Sequence, residues 1–188
     1  QKYRAMLVEK KAKELHQLLL KADAEQQLYD ASHTGDVSKV NDALNTEGVD
    51  VNKQDPQGRT PLMIASCNNH VSVVKLLLQQ TDLCVNQTEG CGSTALIIAS
   101  AFGHVEVVRL LLSESDIDIN KAMDDGWTAL IKASCNGLVG VVRLLLSKSE
   151  IDINKANNNG CTALFTASSF GHLEVVRLLL SKSDIDIN

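Results

Sequence analysis

The sequence predicts an all-helical repeat protein in which short helix–turn–helix units stack into an open solenoid. The chain has 188 residues, 44% hydrophobic and 22% charged, as expected for a folded protein. Aromatic residues make up only 3%, which favours a core of small, closely packed helices. The decisive observation is a period of 34 residues, which separates successive members of three series. The series are the threonines Thr60, Thr94, Thr128 and Thr162; the glycines Gly58, Gly92, Gly126 and Gly160; and the asparagines Asn52, Asn86, Asn120, Asn154 and Asn188.

Each unit begins with a threonine that we expect to cap a short apolar helix, as Thr94 does before ALIIASAF. The first helix should end at residue types that accept the left-handed conformation, namely Gly35, Asn69, Gly103, Gly137 and Gly171. The second helix, as in HVEVVRLLL, is amphipathic. Its expected buried side holds Val105, Val108, Leu111 and Leu112.

A loop follows the second helix. The segment SDIDIN alternates polar and apolar residues over a stretch too short for a sheet strand, and it runs into the turn formers NKANNNG or NKAMDDG. We therefore expect a protruding hairpin-like loop between units. Because helices under about 12 residues are marginal in water, each unit needs a neighbour to bury its apolar faces. Stacking is predicted to be obligatory.

Residues 1–23 precede the repeats and are predicted to form a charged helix. A candidate apolar stripe on it consists of Tyr3, Met6, Leu7, Leu15, Leu18 and Leu19. We expect a cap or linker that covers the apolar edge of the first repeat, with a coiled-coil partner as the alternative. The predicted organisation is a helix over 1–23 and a repeat domain over 24–188, with repeats at about 24–54, 55–88, 89–122, 123–156 and 157–188.

Two of the units resemble the ankyrin repeat. The segments DGWTALIKASCNGLVGVVRLLL and NGCTALFTASSFGHLEVVRLLL are similar to that family's TPLH-type helix start, GH turn and VVKLLL second helix. The resemblance covers residues 24–188 and implies an ankyrin-type α-solenoid of helix–turn–helix units joined by β-hairpin-like loops. One departure is that the family's TPLH histidine is replaced, by Met63, Ile97, Ile131 and Phe165.

The residues that carry chemistry in other proteins are explained here by the repeat. Three histidines share one slot at the turn between helices, which favours a structural role for His70, His104 and His172. Gly90-Cys-Gly92 precedes a helix, but no strand comes before it and Ala95 stands where a phosphate loop has its third glycine. The five cysteines form no CxxC pair. We expect no enzyme activity, no catalytic residue, no cofactor and no metal.

Charge and hydropathy limit the partners and the location. The net charge is −5 at pH 7, which argues against a nucleic-acid partner. No apolar run approaches the roughly 18 residues that a membrane span needs, so no membrane insertion is expected. An odd number of cysteines favours a reducing compartment, hence a cytoplasmic protein with the nucleus as the alternative. Further repeats or another domain are expected beyond Asn188.

The resemblance implies a binding surface on the hairpin tips and first helices, which line a concave groove in this family. Positions there that change from repeat to repeat are the candidate partner-binding residues: Arg59, Phe102, Asp124, Asp125, Trp127, Lys132, Asn158, Asn159 and Phe170. Trp127 is the only tryptophan and tryptophan is enriched at binding hot spots, although it could instead pack on the next tip. Two neighbouring aspartates favour basic residues on the partner.

The leading functional hypothesis is a non-catalytic module that binds a peptide or protein in the groove. One alternative is a structural or assembly element, such as the cytosolic part of a channel or a self-associating scaffold. Another is the substrate-recruiting region of a multidomain enzyme. The resemblance also implies that a hairpin asparagine such as Asn120, which has Leu112 eight residues earlier, is a candidate for hydroxylation.

Overall fold

The computed structural model describes residues 2–187, and within that range the chain forms ten α-helices. Their bounds are α1 Lys2–Thr34, α2 Val37–Leu44, α3 Pro61–Cys67, α4 Val71–Leu78, α5 Ala95–Phe102, α6 Val105–Leu111, α7 Ala129–Cys135, α8 Val139–Leu145, α9 Ala163–Ser169 and α10 Leu173–Leu180. The predicted all-helical repeat fold is confirmed. The odd-numbered helices are here called inner and the even-numbered ones outer. The hairpin asparagine expected at Asn188 lies outside the described residues.

The predicted starts and ends of the inner helices are confirmed. The Thr94 hydroxyl accepts a hydrogen bond from the Ile97 amide at 3.3 Å, so it satisfies one of the free amides at the start of α5. Thr60, Thr128 and Thr162 cap their helices in the same way. Helix α5 ends at Gly103, whose φ of +77° is left-handed. Even the non-glycine residue in this slot, Asn69, has a positive φ of 58°.

The core is one continuous stack of aliphatic side chains along the repeats. The inner helices pack more closely with one another than the outer helices do. This is possible because a fully buried alanine lies in each of α3, α5, α7 and α9, at Ala65, Ala99, Ala133 and Ala167. The closer packing places the inner helices on the concave side. In α6 the prediction that Val105 is buried is wrong: Val105 opens the helix at the surface, and Val107 is buried.

Hairpin asparagines connect successive repeats. The Asn120 side-chain amide donates to the Glu150 carbonyl oxygen at 2.6 Å, and its oxygen accepts from the Asp152 amide at 2.8 Å. The same pair of bonds recurs at Asn52, Asn86 and Asn154. The recurring asparagine is therefore a two-sided link that sets the spacing of neighbouring loops.

The N-terminal segment continues into the first inner helix, because α1 runs unbroken for 33 residues. Side chains 3, 4 and 6–20 are exposed, and burial begins only at Ala24 and Leu28. The expected cap over the first repeat is therefore wrong for these exposed residues, whose apolar side chains face solvent. The domain and repeat boundaries stay predictions.

Four buried serine hydroxyls lie at one slot of the inner helices and have no hydrogen-bond partner. They belong to Ser32, Ser66, Ser100 and Ser134. A buried hydroxyl without a partner loses its hydrogen bonds to water on folding and gains nothing in return. In the fifth repeat the same slot holds Ser168, which is exposed. This slot therefore reduces the stability of the stack in repeats one to four.

Replacing Ser100 by alanine is expected to raise the free energy of unfolding by about 1 kcal/mol, since it removes an unsatisfied buried hydroxyl and keeps the helix. Urea unfolding followed by circular dichroism measures the change. Ser168→Ala is the matched control, because it makes the same change in helix propensity at an exposed site. Equal effects of the two substitutions would contradict a cost of burying the hydroxyl.

Candidate functional site

The hairpin tips form a ladder along one edge of the concave face. The Asp124 amide donates to the Cys91 carbonyl oxygen at 3.1 Å, and the Asn158 amide donates to the Asp125 carbonyl oxygen at 3.0 Å. Each tip turns at a left-handed glycine. At Gly126, with φ +83°, a Cβ would lie 2.7 Å from the Asn158 amide nitrogen, so only glycine lets the tips approach this closely. The tips are thus held at fixed positions relative to one another.

Trp127, in the third tip along the chain, and Lys132, in α7, form a pair. The Lys132 ammonium lies 4.3 Å from the centroid of the Trp127 ring, which is a cation–π contact. Both side chains are half-buried, and Trp127 also packs against the core. The ring therefore packs within the array, and part of it reaches the surface beside a charged group; its role in binding stays a prediction.

The neighbouring tip residues combine loop-building bonds with exposed polar groups. One Asp125 carboxylate oxygen accepts from the Trp127 amide at 3.3 Å. The Asn158 side chain donates to the Asp124 carbonyl oxygen at 2.9 Å. All four tip residues, Asp124, Asp125, Asn158 and Asn159, are exposed. The structure therefore brings these four predicted residues together with Trp127, on two adjacent tips, and gives the surface there a negative charge.

Two exposed aromatic rings lie at the C-terminal ends of the inner helices α5 and α9, at the same repeat position and two repeats apart. Phe102 is 62% exposed and Phe170 is 63% exposed. The Phe102 ring stacks on His104 with centroids 5.9 Å apart, and the Phe170 ring stacks on His172 with centroids 6.3 Å apart. They do not close the edge of the core. Each ring is an exposed apolar group that rests on the histidine of the adjacent turn.

The histidines of the turns have the predicted structural role. In each case Nε2 lies within hydrogen-bonding distance of a carbonyl oxygen in the preceding repeat, at 3.0 Å for His70, 2.9 Å for His104 and 2.8 Å for His172. The imidazoles therefore connect neighbouring turns. Among residues 2–187 no group of three His, Cys, Asp or Glu side chains is placed to hold a metal ion.

A polar cluster that the sequence did not reveal joins α1 to the first tip. The Tyr29 hydroxyl donates to Asp55 Oδ2 at 2.6 Å, and Arg59 donates to the same oxygen from Nε at 2.9 Å. Arg59 Nη2 also donates to the Tyr29 oxygen at 2.7 Å. Arg59, predicted as a partner-binding tip residue, is thus engaged within the chain by Tyr29 and Asp55. The sequence held one indication of this cluster: Tyr29 occupies a repeat position at which every later repeat has an apolar residue.

The cluster shifts the acid–base behaviour of its members. Burial opposes ionisation of Asp55, but hydrogen bonds donated by Tyr29 and Arg59 outweigh it and lower the pKa of Asp55 to about 2. Burial and the hydrogen bond to Asp55 raise the pKa of Tyr29 to about 12. The hydrogen bond to Asp55 also raises the pKa of Arg59. Beside the cluster is a cavity of about 460 Å³, lined by Ala22, Gln26, Tyr29 and residues 53–57 among others.

Comparison with known families identifies the fold. A family model described as ankyrin repeats in three copies matches residues 28–123 and again residues 114–188. The chain belongs to the ankyrin-repeat family. Ankyrin repeats are generally protein–protein interaction modules and are typically non-catalytic. Against curated proteins this ankyrin-repeat chain gives no significant match. No helix within residues 2–187 is long and apolar enough to cross a bilayer.

Asp55→Asn is expected to remove a pH-dependent contribution to stability. Because the pKa of Asp55 is lower in the folded chain than its ordinary 3.8, its carboxylate stabilises the fold above about pH 4, and this is lost as the pH falls through 2. The variant should be about 2 kcal/mol less stable at pH 7 and should approach the parent near pH 2.

Urea unfolding at several pH values between 7 and 2 measures this difference. Asp124→Asn makes the same substitution at an exposed carboxylate and is the matched control for effects of the substitution itself. If the deficit of Asp55→Asn stayed constant across the range, the ionised carboxylate would not be its cause.

Proposed function

We propose that the concave face of repeats two to five binds a peptide or protein partner and performs no catalysis. The observation that carries the proposal is the Trp127–Lys132 pair, together with exposed phenylalanines at the ends of the two neighbouring inner helices, α5 and α9. Aromatic residues are scarce in this chain, and three of its six lie on this surface. Their placement there favours recognition over a role in the core.

The two phenylalanines favour a partner with apolar side chains. Phe102 and Phe170 expose most of their rings to water. Burying an apolar side chain of this size contributes roughly 1.5 to 3 kcal/mol. Because helix ends and turn histidines hold both rings, little conformational freedom is lost on binding. A partner that spans both contact points gains from each of them.

The charges of the third tip, at Asp124 and Asp125, favour a basic group on the partner. Asp124 and Asp125 are exposed, and the nearby Lys132 lies over the Trp127 ring. A partner lysine or arginine close to the two carboxylates would speed association and set the register of binding. The predicted partner segment therefore carries apolar residues on either side of a basic residue. Arg59 is left with a secondary role, because Asp55 and Tyr29 already engage it.

We further propose that the protein acts inside the cell, in the cytoplasm or nucleus. All five cysteines are free thiols, and two of them, Cys84 and Cys91, are exposed. Exposed thiols persist in a reducing compartment and tend to oxidise outside it. The acidic chain, with a net charge of −5, does not favour a nucleic-acid partner.

Trp127→Ala is expected to weaken binding of a groove ligand by roughly thirtyfold, the loss of a hot-spot residue. The ligand is a peptide that the parent chain selects from a random library displayed on phage. Fluorescence anisotropy of that peptide, synthesised with a dye, gives the dissociation constant. The selected peptides should contain apolar residues next to lysine or arginine.

Arg143→Ala is the matched control, because Arg143 is exposed on outer helix α8, on the opposite side of the array. It should bind the peptide as the parent does. Circular dichroism of both variants checks that helical content is retained. Tight binding by Trp127→Ala, or equal losses in both variants, would place the ligand outside the groove.

A further inference from the structure

Three of the loops that follow the outer helices carry the same short pattern of serines and acidic residues. The pattern is Ser-x-Ser, then an acidic residue, Ile and Asp, and it occupies residues 113–118, 147–152 and 181–186. Repeat two forms the same pair of helices without it, because its loop at 79–84 reads Gln-Gln-Thr-Asp-Leu-Cys. The fold of a repeat therefore does not require the pattern.

The two serines of each pattern differ in their surroundings. The first serine donates from Oγ to a backbone carbonyl oxygen at the end of the outer helix, as from Ser113 to Leu110 at 2.5 Å, and the equivalent bonds in repeats four and five measure 2.6 and 2.7 Å. The hydroxyl of the second serine makes no hydrogen bond within residues 2–187, and the residue is exposed. The second serines are Ser115, Ser149 and Ser183.

Acidic side chains follow the second serine at fixed positions. Asp116 and Asp118 come one and three residues after Ser115, and both are exposed. Asp118 Oδ1 accepts from the Asn120 amide at 3.1 Å, which holds this carboxylate in place. Protein kinases select their substrates by the charges next to the target hydroxyl, and a kinase with a basic substrate groove selects carboxylates. An exposed free hydroxyl followed by two carboxylates fits such a kinase.

We propose that Ser115, Ser149 and Ser183 are phosphorylated by an acid-directed protein kinase that uses ATP. The serine Oγ attacks the γ-phosphorus of ATP and forms an O–P bond, while the bond from that phosphorus to the β,γ-bridging oxygen breaks. ADP leaves, and the hydroxyl proton passes to the catalytic base of the kinase. Ser115 is the preferred site, because Glu114 adds a carboxylate before it, whereas a lysine precedes each of the other two serines.

The backbone around Ser115 is loosely held. Within the described part of the chain, the amides of Ser115 and Asp116 donate to no backbone carbonyl oxygen. The loop is anchored on either side of them, by the Ser113 hydroxyl and by the Asp118 amide, which donates to Asn86 Oδ1 at 2.8 Å. The segment between these anchors can adapt to a kinase groove while the helices stay folded.

A lysine of the following repeat is placed to receive two of the phosphates. Ser115 and Lys148 line one cavity of about 280 Å³, and Ser149 and Lys182 line the equivalent cavity of about 230 Å³. A phosphate on either serine can form charge-assisted bonds with that lysine ammonium.

Modification changes the charge of one edge of the array. Each phosphate adds about −1.5 to −2 at pH 7, so three of them would roughly double the net charge of −5. The modified loops contain none of the residues proposed for partner binding. Phosphorylation therefore gives repeats three to five an acidic edge that is separate from the groove residues.

Incubating the folded chain with ATP and a purified acid-directed serine kinase of the casein kinase type tests the proposal. Intact-mass and fragmentation mass spectrometry count and locate the phosphoryl groups. We expect one on the second serine of each pattern, first on Ser115, and none on Ser113. Thr81 is a control within the chain: it is exposed at the position equivalent to Ser115, but Cys84 stands where the second carboxylate should be, so it should remain unmodified.

Two double variants test the role of the carboxylates. Asp116→Asn with Asp118→Asn should lower the initial rate at Ser115 by roughly tenfold, because two charge-assisted contacts to the kinase are lost. Ser149 in the same molecule is the matched control and should react as in the parent. Asparagine at 118 can still accept from the Asn120 amide, and circular dichroism checks that helical content is kept.

The second variant transfers the pattern to repeat two. Thr81→Ser with Cys84→Asp should add one phosphoryl group, at residue 81. A folded chain that stays unmodified, phosphorylation confined to Ser113, an unchanged rate at Ser115 without its two carboxylates, or a transferred pattern that does not react would each overturn the proposal.

Discussion

The stacking of each repeat on its neighbours is the interaction on which the rest of the structure depends. Leucines of the outer helices such as Leu77, Leu111 and Leu145 are fully buried, although each belongs to a helix of only seven or eight residues. Helices of that length do not persist alone in water. Order therefore comes from apolar contact between repeats, while asparagine links such as Asn120 set the loop spacing.

Stacking also explains why a recognition surface can be rigid without a large domain around it. Backbone groups form the ladder of bonds between the tips, with added bonds such as that from the Asn158 side chain, and side chains such as Asp124 stay exposed at the surface. Turn histidines bond to the preceding repeat and at the same time support Phe102 and Phe170. The same contacts that stabilise the array thus hold the candidate binding groups in place.

Much of the candidate surface could be predicted because a repeat assigns a position to every residue. Register alone places Trp127, Asp124 and Asp125 on one tip, and the structure adds the Lys132 contact and the adjacent Asn158. The repeat register did not reveal that Arg59 is engaged within the chain, because its partner Tyr29 is 30 residues away. The repeat register shows which residues occupy equivalent positions in successive repeats. It does not show which polar groups at non-equivalent positions come into contact.

By itself, the sequence determined the period, the helix caps, the left-handed turns and the recurring hairpin asparagines, because each depends on local backbone chemistry repeated every 34 residues. Only the tertiary structure decided that α1 continues past the repeats with its stripe uncovered, and that Tyr29, Asp55 and Arg59 form one cluster. The reason is physical: a stripe of Leu and Val has the same spacing whether it covers a repeat or faces water. Which of the two occurs depends on the direction in which the helix leaves the stack.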